Sequence, residues 1–402
     1  MRKLRVAVVG GSIAGCAAAL AVHRAGVDEI TVYERSAGDL ADRGVGLAVH
    51  NARYAELEAA GYLDAAMPWV QLTQRRWYVR DGDSGNPLGR HIGTLPFPFR
   101  TYNWGPLWRE LRARVPGSVR FRTGTTVDSV EASATAAEVR TPGLTQSFDL
   151  VIGADGYRSV VRAAACPDVR PEYAGYLAWR GAFPVSRLAD PSLWNTTDCI
   201  YVVFSGGHMI VYRIPDGAGG HRVNWILYAT PPPGLDAHLT TPTSLPPGTL
   251  TEALHHRLAH IAETRLPPYW GALIRQTAPA EVFSQPMYDF TAPRVPTDRF
   301  LLLGDAAAVA RPHTGAGAVK ALQDATTLES AFTTTADWRA ALRTYDEARA
   351  TSGRTMVNLG RSLGHALVQG TPDWRTLDQA GLEEWWGRAD GAGVFGGREL
   401  KR

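Results

Sequence analysis

The pattern of the first 34 residues constrains the fold more than any other part of the chain. An apolar run from Leu4 to Val9 leads directly into the glycine turn GGSIAG (10–15), which the apolar segment CAAALAVHRAG (16–26) follows. A second apolar run, ITVYE, then ends in a carboxylate at Glu34. Short β-branched runs on either side of an alanine-rich helix are typical of a βαβ unit with a buried parallel sheet. The sequence therefore predicts an α/β fold.

The glycine turn has the chemistry of a dinucleotide site. Gly10 permits the tight turn, Gly15 lets the helix pack closely on the strand, and the helix N-terminus offers free N–H groups to a pyrophosphate. Glu34 stands where an acid accepts hydrogen bonds from an adenosine ribose. Ser12 replaces the middle glycine of the usual G-x-G-x-x-G, although its hydroxyl can also donate to phosphate. These residues predict binding of NAD or FAD; the alternative is a glycine turn in an ordinary α/β sheet.

Two further motifs follow apolar runs far along the chain. FDLVIGA (148–154) precedes DGYRSVVR (155–162), in which Ser159 is expected to cap a short helix that carries Arg162. FLLLGDAAAVARPHTGAGAVK (300–320) combines a strand predicted to lie beside the first one, the carboxylate of Asp305, and a loop fixed by Pro312. Gly315 and Gly317 allow a flat ring to approach the backbone. The N–H groups of the helix that begins there would stabilise a reduced flavin edge.

These three motifs, in this order, resemble those of the class A flavoprotein aromatic hydroxylases, which share the para-hydroxybenzoate hydroxylase fold. The resemblance covers nearly the whole chain. Within the family, YAGYLAWRG (173–181) and RPHTGAGAVKALQDA (311–325) look like the dihydroxypyridine hydroxylase and salicylate hydroxylase-like branches. The resemblance implies a discontinuous Rossmann-type FAD-binding domain (1–70, 100–170 and 295–335). It also implies an inserted, mostly antiparallel β-sheet substrate domain (71–99 and 171–294) and a C-terminal helical region (336–402).

The resemblance also assigns residues to the cofactor. It places Ser12, Ile13 and Ala14 at the pyrophosphate, Glu34 and Arg35 at the adenosine end, Val127 at adenine and Arg43 at the phosphate–ribityl stretch. Asp155 is implied in the flavin-side architecture and in handling of the reductant. Trp104 stands where many relatives carry arginine in R-x-x-L, and Arg109 is the residue expected to compensate. The full predicted cofactor set is Gly11, Ser12, Ile13, Ala14, Glu34, Arg35, Arg43, Arg109, Val127, Asp155, Asp305, Gly315, Ala316, Gly317 and Ala318.

The reaction that the resemblance implies uses NADH or NADPH, molecular oxygen and a flavin C4a-hydroperoxide to hydroxylate an activated ring. A base with a pKa near neutral would ionise a ring hydroxyl, so His50 and His313 are candidates. Helix capping by His50 and ordering of the flavin loop by His313 are the alternatives. Pro312 matches a family proline whose carbonyl lies near the substrate. The strands that carry Tyr201, Tyr212 and Trp225 are predicted to form the substrate-covering sheet, although core packing is the commoner role for such side chains.

Composition excludes several other classes of protein. The net charge of +3 over 402 residues and the scattered arginines argue against a nucleic-acid partner. Cys16, Cys166 and Cys199 lack metal-ligand spacing, and so few cysteines favour a reducing cytoplasm. No apolar run reaches the ~18 residues of a membrane span. The expectation is a cytoplasmic monomer or homodimer that binds neither membrane, metal nor nucleic acid.

Three rival functions share the fold. A flavin-dependent halogenase would carry W-x-W-x-I-P, and the nearest segment, IVYRIP, lacks both tryptophans. An epoxidase or Baeyer–Villiger oxygenase, and a flavoprotein that binds a ligand without converting it, stay open at this stage. No separate nicotinamide motif is present, so the sequence does not distinguish NADH from NADPH.

Overall fold

A computed structural model describes residues 4–38, 40, 46–82, 85–232, 234, 248–295, 297–391 and 393–397. In chain order its strands are β1 (Arg5–Val9), β2 (Glu29–Tyr33), β3 (Gly46–His50), β4 (Val70–Val79), β5 (Arg90–Asn103), β6 (Arg120–Arg122), β7 (Ser129–Ala132), β8 (Ala137–Thr141), β9 (Leu144–Phe148), β10 (Leu150–Gly153), β11 (Glu172–Pro184), β12 (Asp198–Phe204), β13 (Gly207–Pro215), β14 (His221–Ala229), β15 (Phe283–Thr291), β16 (Phe300–Leu302) and β17 (Ala308–Val309). Its helices are α1 (Ile13–Arg24), α2 (Asn51–Ala59), α3 (Trp104–Arg114), α4 (Val160–Ala165), α5 (Glu252–Thr264), α6 (Pro268–Gln276), α7 (Gly317–Thr334), α8 (Trp338–Gly364) and α9 (Gln379–Asp390).

A parallel sheet in the order β16-β10-β1-β2-β6 forms the first layer, as the βαβ pattern predicts. Alternation along β1 divides its two faces. Val6 and Val8 pack with α1, α3 and α7, whereas Ala7 and Val9 face the β7–β8–β9 sheet and α4. The strand that carries the third motif, β16, was predicted to lie beside β1, and this prediction is wrong. Its neighbour is β10, because the FDLVIGA run occupies the position next to β1.

A larger sheet in the order β17-β15-β11-β14-β13-β12-β4-β5-β3 forms the second layer. Most of its pairs are antiparallel, as predicted, but β12 and β4 run parallel because the chain reaches them by separate connections. The predicted boundaries put 46–50 and 308–309 in the FAD-binding part, yet β3 and β17 are hydrogen-bonded into this sheet. One face of the sheet packs on α5 and α6, and the other faces α8, α9 and a cavity.

Local capping explains where the helices begin. The Thr251 hydroxyl accepts from the Leu254 N–H before α5, and the Asp337 carboxylate accepts from the Arg339 N–H before α8. Helix α5 ends at Thr264, and a π turn at His365–Gln369 follows α8. Among the helices that the structure describes, none has both the length and the apolarity needed to cross a membrane.

Candidate active site

The first glycine turn is fixed by close backbone packing. Gly10 has φ 101°, and a Cβ there would lie 2.4 Å from the Ala154 oxygen; a Cβ on Gly15 would lie 1.8 Å from the Gly10 oxygen. Neither position accepts a side chain, since strand and helix are in contact. The Ser12 side chain makes no capping hydrogen bond, so the N–H groups of the first turn of α1 lack a side-chain cap. The helix N-terminus therefore has the donors that an anion requires.

Glu34 ties this turn to the end of β2. Its buried carboxylate accepts the Gly11 N–H at 2.8 Å and the Ser36 N–H at 2.8 Å. The indole N–H of Trp108 donates to the Gly11 oxygen at 2.9 Å from α3. The carboxylate predicted at the adenosine end is therefore held by backbone donors next to the predicted pyrophosphate site.

A buried cluster of ion pairs stabilises the Gly304–Ala306 turn. Asp324 on α7 accepts the Gly304 N–H at 2.8 Å and pairs with Lys320 at 2.9 Å; the Lys320 ammonium also donates to the Gly304 oxygen at 3.0 Å. Arg349 on α8 donates to the other Asp324 oxygen. Burial opposes ionisation of Asp324, but Arg349 and Lys320 hold the pKa of its carboxyl below the usual value. The cluster locks the turn that carries Asp305.

The second motif is joined to the third through Arg162. Ser159 accepts the Arg162 N–H at 2.9 Å and caps α4, as predicted. The Arg162 guanidinium donates to the oxygens of Tyr157 (2.6 Å) and Ala306 (3.2 Å). Asp155 accepts the Val160 N–H at 2.7 Å through Oδ2, whereas its buried Oδ1 has no hydrogen-bond partner among the described residues. Two motifs about 150 positions apart in the chain therefore form one edge of the site.

A cavity of about 590 Å³ lies between this edge and the larger sheet. One wall is the flavin loop predicted from the sequence, with Pro312, His313 and residues 315–318, together with residues 46–48 and Asp305. The opposite wall consists of residues of β11, β12, β13, β14 and β15, and its polar members among the described residues are Arg180, Cys199, Tyr201, Tyr212, Tyr228, Gln285 and Tyr288. The volume falls in the range of small-molecule sites, and aromatic walls with few polar groups suit a flat ring.

Charge in the cavity is dominated by one cation. Arg180 projects from β11, and its buried Nε has no hydrogen-bond partner within the described part of the chain. Burial raises the pKa of Tyr212 and Tyr228, and the positive charge of Arg180 acts against that rise in both. Asp305 is exposed to the cavity, although the surrounding protein still raises the pKa of its carboxyl. The substrate wall therefore favours a negatively charged or strongly electron-rich ligand.

His313 is buried beside the cavity and hydrogen-bonded to a tyrosine. Its Nε2 lies 2.7 Å from the Tyr176 hydroxyl, and its buried Nδ1 lacks a partner among the described residues. Burial, followed by the charges of His208, Arg311 and Arg180, lowers the pKa of His313 well below the ordinary value. The imidazole is neutral at physiological pH, which is the form that can accept a proton.

The structure places the predicted site residues in several parts of the molecule. Tyr201, Tyr212, Pro312, His313, Asp305 and 315–318 line the cavity. Gly11, Ser12, Ile13, Ala14 and Glu34 lie at the first turn, with Arg35 exposed beyond it, and Val127 is buried in the loop before β7. Arg109 is exposed on α3, whereas Trp104, at the start of that helix, lines the cavity. Arg43 lies outside the described residues.

Two predicted substrate or catalytic residues lie elsewhere. Trp225 faces α6 on the far side of β14 and donates to the Thr277 hydroxyl at 2.8 Å, because alternation turns Ile226 toward the cavity instead. The prediction that Trp225 contacts substrate is therefore wrong. His50 is not among the described residues that line the cavity; its Nδ1 accepts the Ala52 N–H at 3.2 Å and caps α2. This geometry supports the capping alternative for His50.

Sequence reasoning missed several residues of the site. Tyr228 shares the Ile226 face of β14, but both faces of that strand are buried, so alternation does not tell which face lines the cavity. The roles of Lys320 and Asp324 could have been suspected from two opposite charges at i and i+4 in an alanine-rich helix. Phe395, which lines the cavity from the C-terminal segment, has no local signal because only tertiary packing brings it there.

Comparison with known proteins identifies related sequences and structures. Residues 173–285 match a family model described as FAD binding domain-like, and residues 257–359 match one described as FAD binding domain. A 2,6-dihydroxypyridine 3-monooxygenase of Paenarthrobacter nicotinovorans is 30% identical over 91% of this chain and 92% of its own length. A 3-amino-4-hydroxybenzoate 2-monooxygenase of Streptomyces cremeus is 31% identical over 81% and 78%.

Solved structures agree with the sequence relatives. The 2,6-dihydroxypyridine-3-hydroxylase of Arthrobacter nicotinovorans superposes with a TM-score of 0.81 at 29% identity, over 92% of this chain and 94% of that one. Klebsiella pneumoniae HpxO, solved with FAD and uric acid, has the same fold, with a TM-score of 0.75 at 23% identity over 98% and 95%. The predicted Rossmann-type layer with a mostly antiparallel second sheet is therefore confirmed.

The residues of the site fit FAD on observations internal to the structure. The first turn excludes side chains at Gly10 and Gly15, and a Cβ built on Gly317 at the start of α7 would meet nothing within 4 Å. The buried Asp155 Oδ1 supplies an acceptor beside the joined second and third motifs. These features, with the extent of similarity to the relatives above, confirm the predicted family. The chain belongs to the FAD-dependent aromatic monooxygenases, the class A flavin hydroxylases.

Proposed function

We propose that this monooxygenase uses NADH or NADPH and molecular oxygen to hydroxylate a small hydroxylated aromatic or nitrogen-heterocyclic ring. The observation that carries the proposal is the cavity of about 590 Å³ that joins the flavin loop to a wall of tyrosines and one arginine. The names of the relatives, which act on a dihydroxypyridine and an aminohydroxybenzoate, support that class of substrate. We further propose that the protein works in the cytoplasm as a monomer or homodimer.

In this proposal the described motifs hold FAD at three places. The N-terminus of α1 takes the pyrophosphate, Glu34 the adenosine end, and Asp305 with the start of α7 the ring side. When bound and reduced by NADH or NADPH, FAD supplies the electrons and the oxygen activation for hydroxylation. The residues of the chain bind the ring, exclude water from the site and accept the proton that the ring hydroxyl releases.

Arg180 is the residue that would activate the substrate. A ring hydroxyl must lose its proton, or share it, for the ring carbon to become nucleophilic. A guanidinium is charged at any physiological pH, and its attraction stabilises a developing ring oxyanion in a site that excludes water. Arg180 lines the cavity, which places its guanidinium beside a bound ring.

His313, hydrogen-bonded to Tyr176, is the candidate acceptor of the released proton. The Tyr176 hydroxyl and His313 Nε2 are 2.7 Å apart. Among the described residues that line the cavity, His313 is the one histidine. Because its pKa is depressed, His313 would hold the proton only transiently; the Tyr176 phenol, whose own pKa burial raises, orients the imidazole through their hydrogen bond and does not accept the proton. Removal of Tyr176 should therefore change the pH profile of turnover more than substrate affinity.

The decisive experiment is a screen of hydroxypyridines and hydroxybenzoates for stimulated NADH and NADPH oxidation by the FAD-loaded protein, followed by product mass. The proposal predicts a product that gains one oxygen atom. Arg180→Gln should lower kcat/KM by about 10²-fold, as loss of one stabilising donor typically does. Stimulated oxidation that yields only hydrogen peroxide with every compound would contradict the proposal and favour a flavoprotein that binds without hydroxylating.

A further inference from the structure

A second arginine lies behind the cavity wall, and neither the motifs nor the reaction accounts for it. Arg75 on β4 is 2% exposed, and its Nε and Nη1 are buried without a hydrogen-bond partner among the described residues. Burying a guanidinium without pairing it is costly, so such residues are rare. A polar side chain buried in this way calls for a ligand or a role.

Aromatic rings surround the Arg75 guanidinium. Its central carbon lies 3.7 Å from the ring centre of Trp386 on α9, and 5.1 to 5.4 Å from the ring centres of Phe395, Tyr201, Trp77 and Phe97. Rings at such distances stabilise a cation by cation–π attraction. The cage keeps the charge in place without neutralising it.

Three members of the cage, Phe97, Tyr201 and Phe395, also line the cavity. A single layer of aromatic rings therefore separates the Arg75 guanidinium from the cavity. Burial raises the pKa of Tyr201, and the charge of Arg75 opposes that rise, which makes the phenol a stronger hydrogen-bond donor. Asp390 acts on Arg75 more weakly than Tyr201 does, and its carboxylate accepts the Phe395 N–H at 3.3 Å.

The two arginines occupy opposite flanks of the substrate wall. Arg180 is on β11 and Arg75 on β4, with β14, β13 and β12 between them. Adjacent strands are ~4.8 Å apart, so the four intervals separate the two backbones by about 19 Å, and the two charges lie toward opposite ends of the cavity. Asp305, on the flavin side, is the one acidic side chain among the described residues that line the cavity. No acidic side chain among the described residues of the substrate wall offsets either charge, although Asp390, behind the wall, acts on Arg75.

We propose that Arg75, acting through Tyr201, is a specificity-determining positioning residue that selects substrates with an anionic substituent, such as a carboxylate, at the end of the ring remote from Arg180. The inference rests on the proposed function for its site but not on turnover. A unit charge about 12 Å from the anionic group, at an effective dielectric constant of about 20, should favour an anion over a neutral isostere by about tenfold.

The test compares 4-hydroxybenzoate with its neutral isostere 4-hydroxybenzamide, by calorimetric titration of the FAD-loaded protein. The wild type should bind the carboxylate about tenfold more tightly than the amide. Arg75→Met should bring the ratio close to one, and Arg75→Lys should restore most of it. Arg76→Met is the matched control, because Arg76 is the next residue, is 34% exposed and lies near Asp198 (3.9 Å) on the other side of β4. It should keep the wild-type ratio.

Two results would overturn the inference: an unchanged ratio in a folded Arg75→Met protein, or a wild type that does not prefer the carboxylate. If Arg75→Met does not fold, Tyr201→Phe provides the test. Removing the phenol hydroxyl while Arg75 stays in its aromatic cage should reduce the carboxylate-to-amide affinity ratio at least threefold. An unchanged ratio would show that Arg75 does not act through Tyr201. The outcomes are separable from those of the proposed function. If the carboxylate-to-amide affinity ratio depends on Arg75 but no compound is hydroxylated, only the catalytic proposal is refuted. If a compound is hydroxylated but the protein does not prefer the carboxylate, only the inference about Arg75 is refuted.

Discussion

The ion cluster beneath the Gly304–Ala306 turn makes the sharpest prediction about stability. Asp324→Asn keeps an acceptor for the Gly304 N–H but leaves Lys320 and Arg349 buried without their counter-charge. Removing one partner of a buried pair typically costs about 3–5 kcal/mol in the free energy of unfolding. An unfolding entropy of ~2.1 cal/mol/K per residue over 402 residues gives about 0.8 kcal/mol/K. The melting temperature should therefore fall by about 4–6 °C.

The assay is urea and thermal unfolding of flavin-stripped protein, because bound FAD would add stability by mass action and mask the change. Glu384→Gln is the control, since it removes one partner of an exposed i,i+4 pair with Arg388. Its expected effect is below about 0.5 kcal/mol. FAD affinity should fall in the Asn variant because the turn that carries Asp305 loses its brace. A loss under about 1 kcal/mol with wild-type FAD affinity would refute the assigned role of the cluster.

Three other variants test separate parts of the structure. Gly15→Ala would place a Cβ 1.8 Å from the Gly10 oxygen and should abolish FAD binding measured by flavin fluorescence. Gly117→Ala is the control, because a Cβ there would meet no atom within 4 Å, and it should bind FAD normally. Equal FAD binding by the two variants would contradict the close packing of the turn. Burial raises the pKa of Asp346 to about 6 from 3.8, so the folded chain keeps this proton longer and wild-type stability falls as pH rises from about 4 to 6. Asp346→Asn should therefore exceed the wild type by about 2–3 kcal/mol at pH 8 in urea unfolding and match it near pH 4, and equal stability at both pH values would reject the shift. Trp225→Phe loses its bond to Thr277 and should unfold more easily with unchanged ligand affinity; weaker titration of 4-hydroxybenzoate would return Trp225 to the substrate site.

The cofactor part of the site was predictable because its determinants are local. Gly10, Gly15 and Ser159 follow from turn and cap chemistry that operates within a few residues, and the apolar runs before each motif fix strand ends. The carboxyl ends of parallel strands then bring the motifs to one edge of the sheet. The neighbour of β1 was predicted wrongly because strand order depends on connections, which motifs do not encode.

The substrate part was less predictable because it depends on which face of each strand lines the cavity and which face packs against helices. Both faces of β14 are apolar and buried, so alternation alone does not show that Tyr228, and not Trp225, lines the cavity. Phe395 and Trp386 reach the site from α9 and the C-terminal segment, about 300 residues after Arg75 and Phe97. A cage built from such distant parts becomes visible only in the folded chain.

The account depends on three separate motifs that hold one FAD. The most direct measurement is the flavin content of protein reconstituted with FAD and freed of excess, determined from the absorbance of flavin released on denaturation. The account predicts one FAD per chain for the wild type and a substantial loss for Asp305→Ala. A wild-type protein that stays colourless after reconstitution would contradict it.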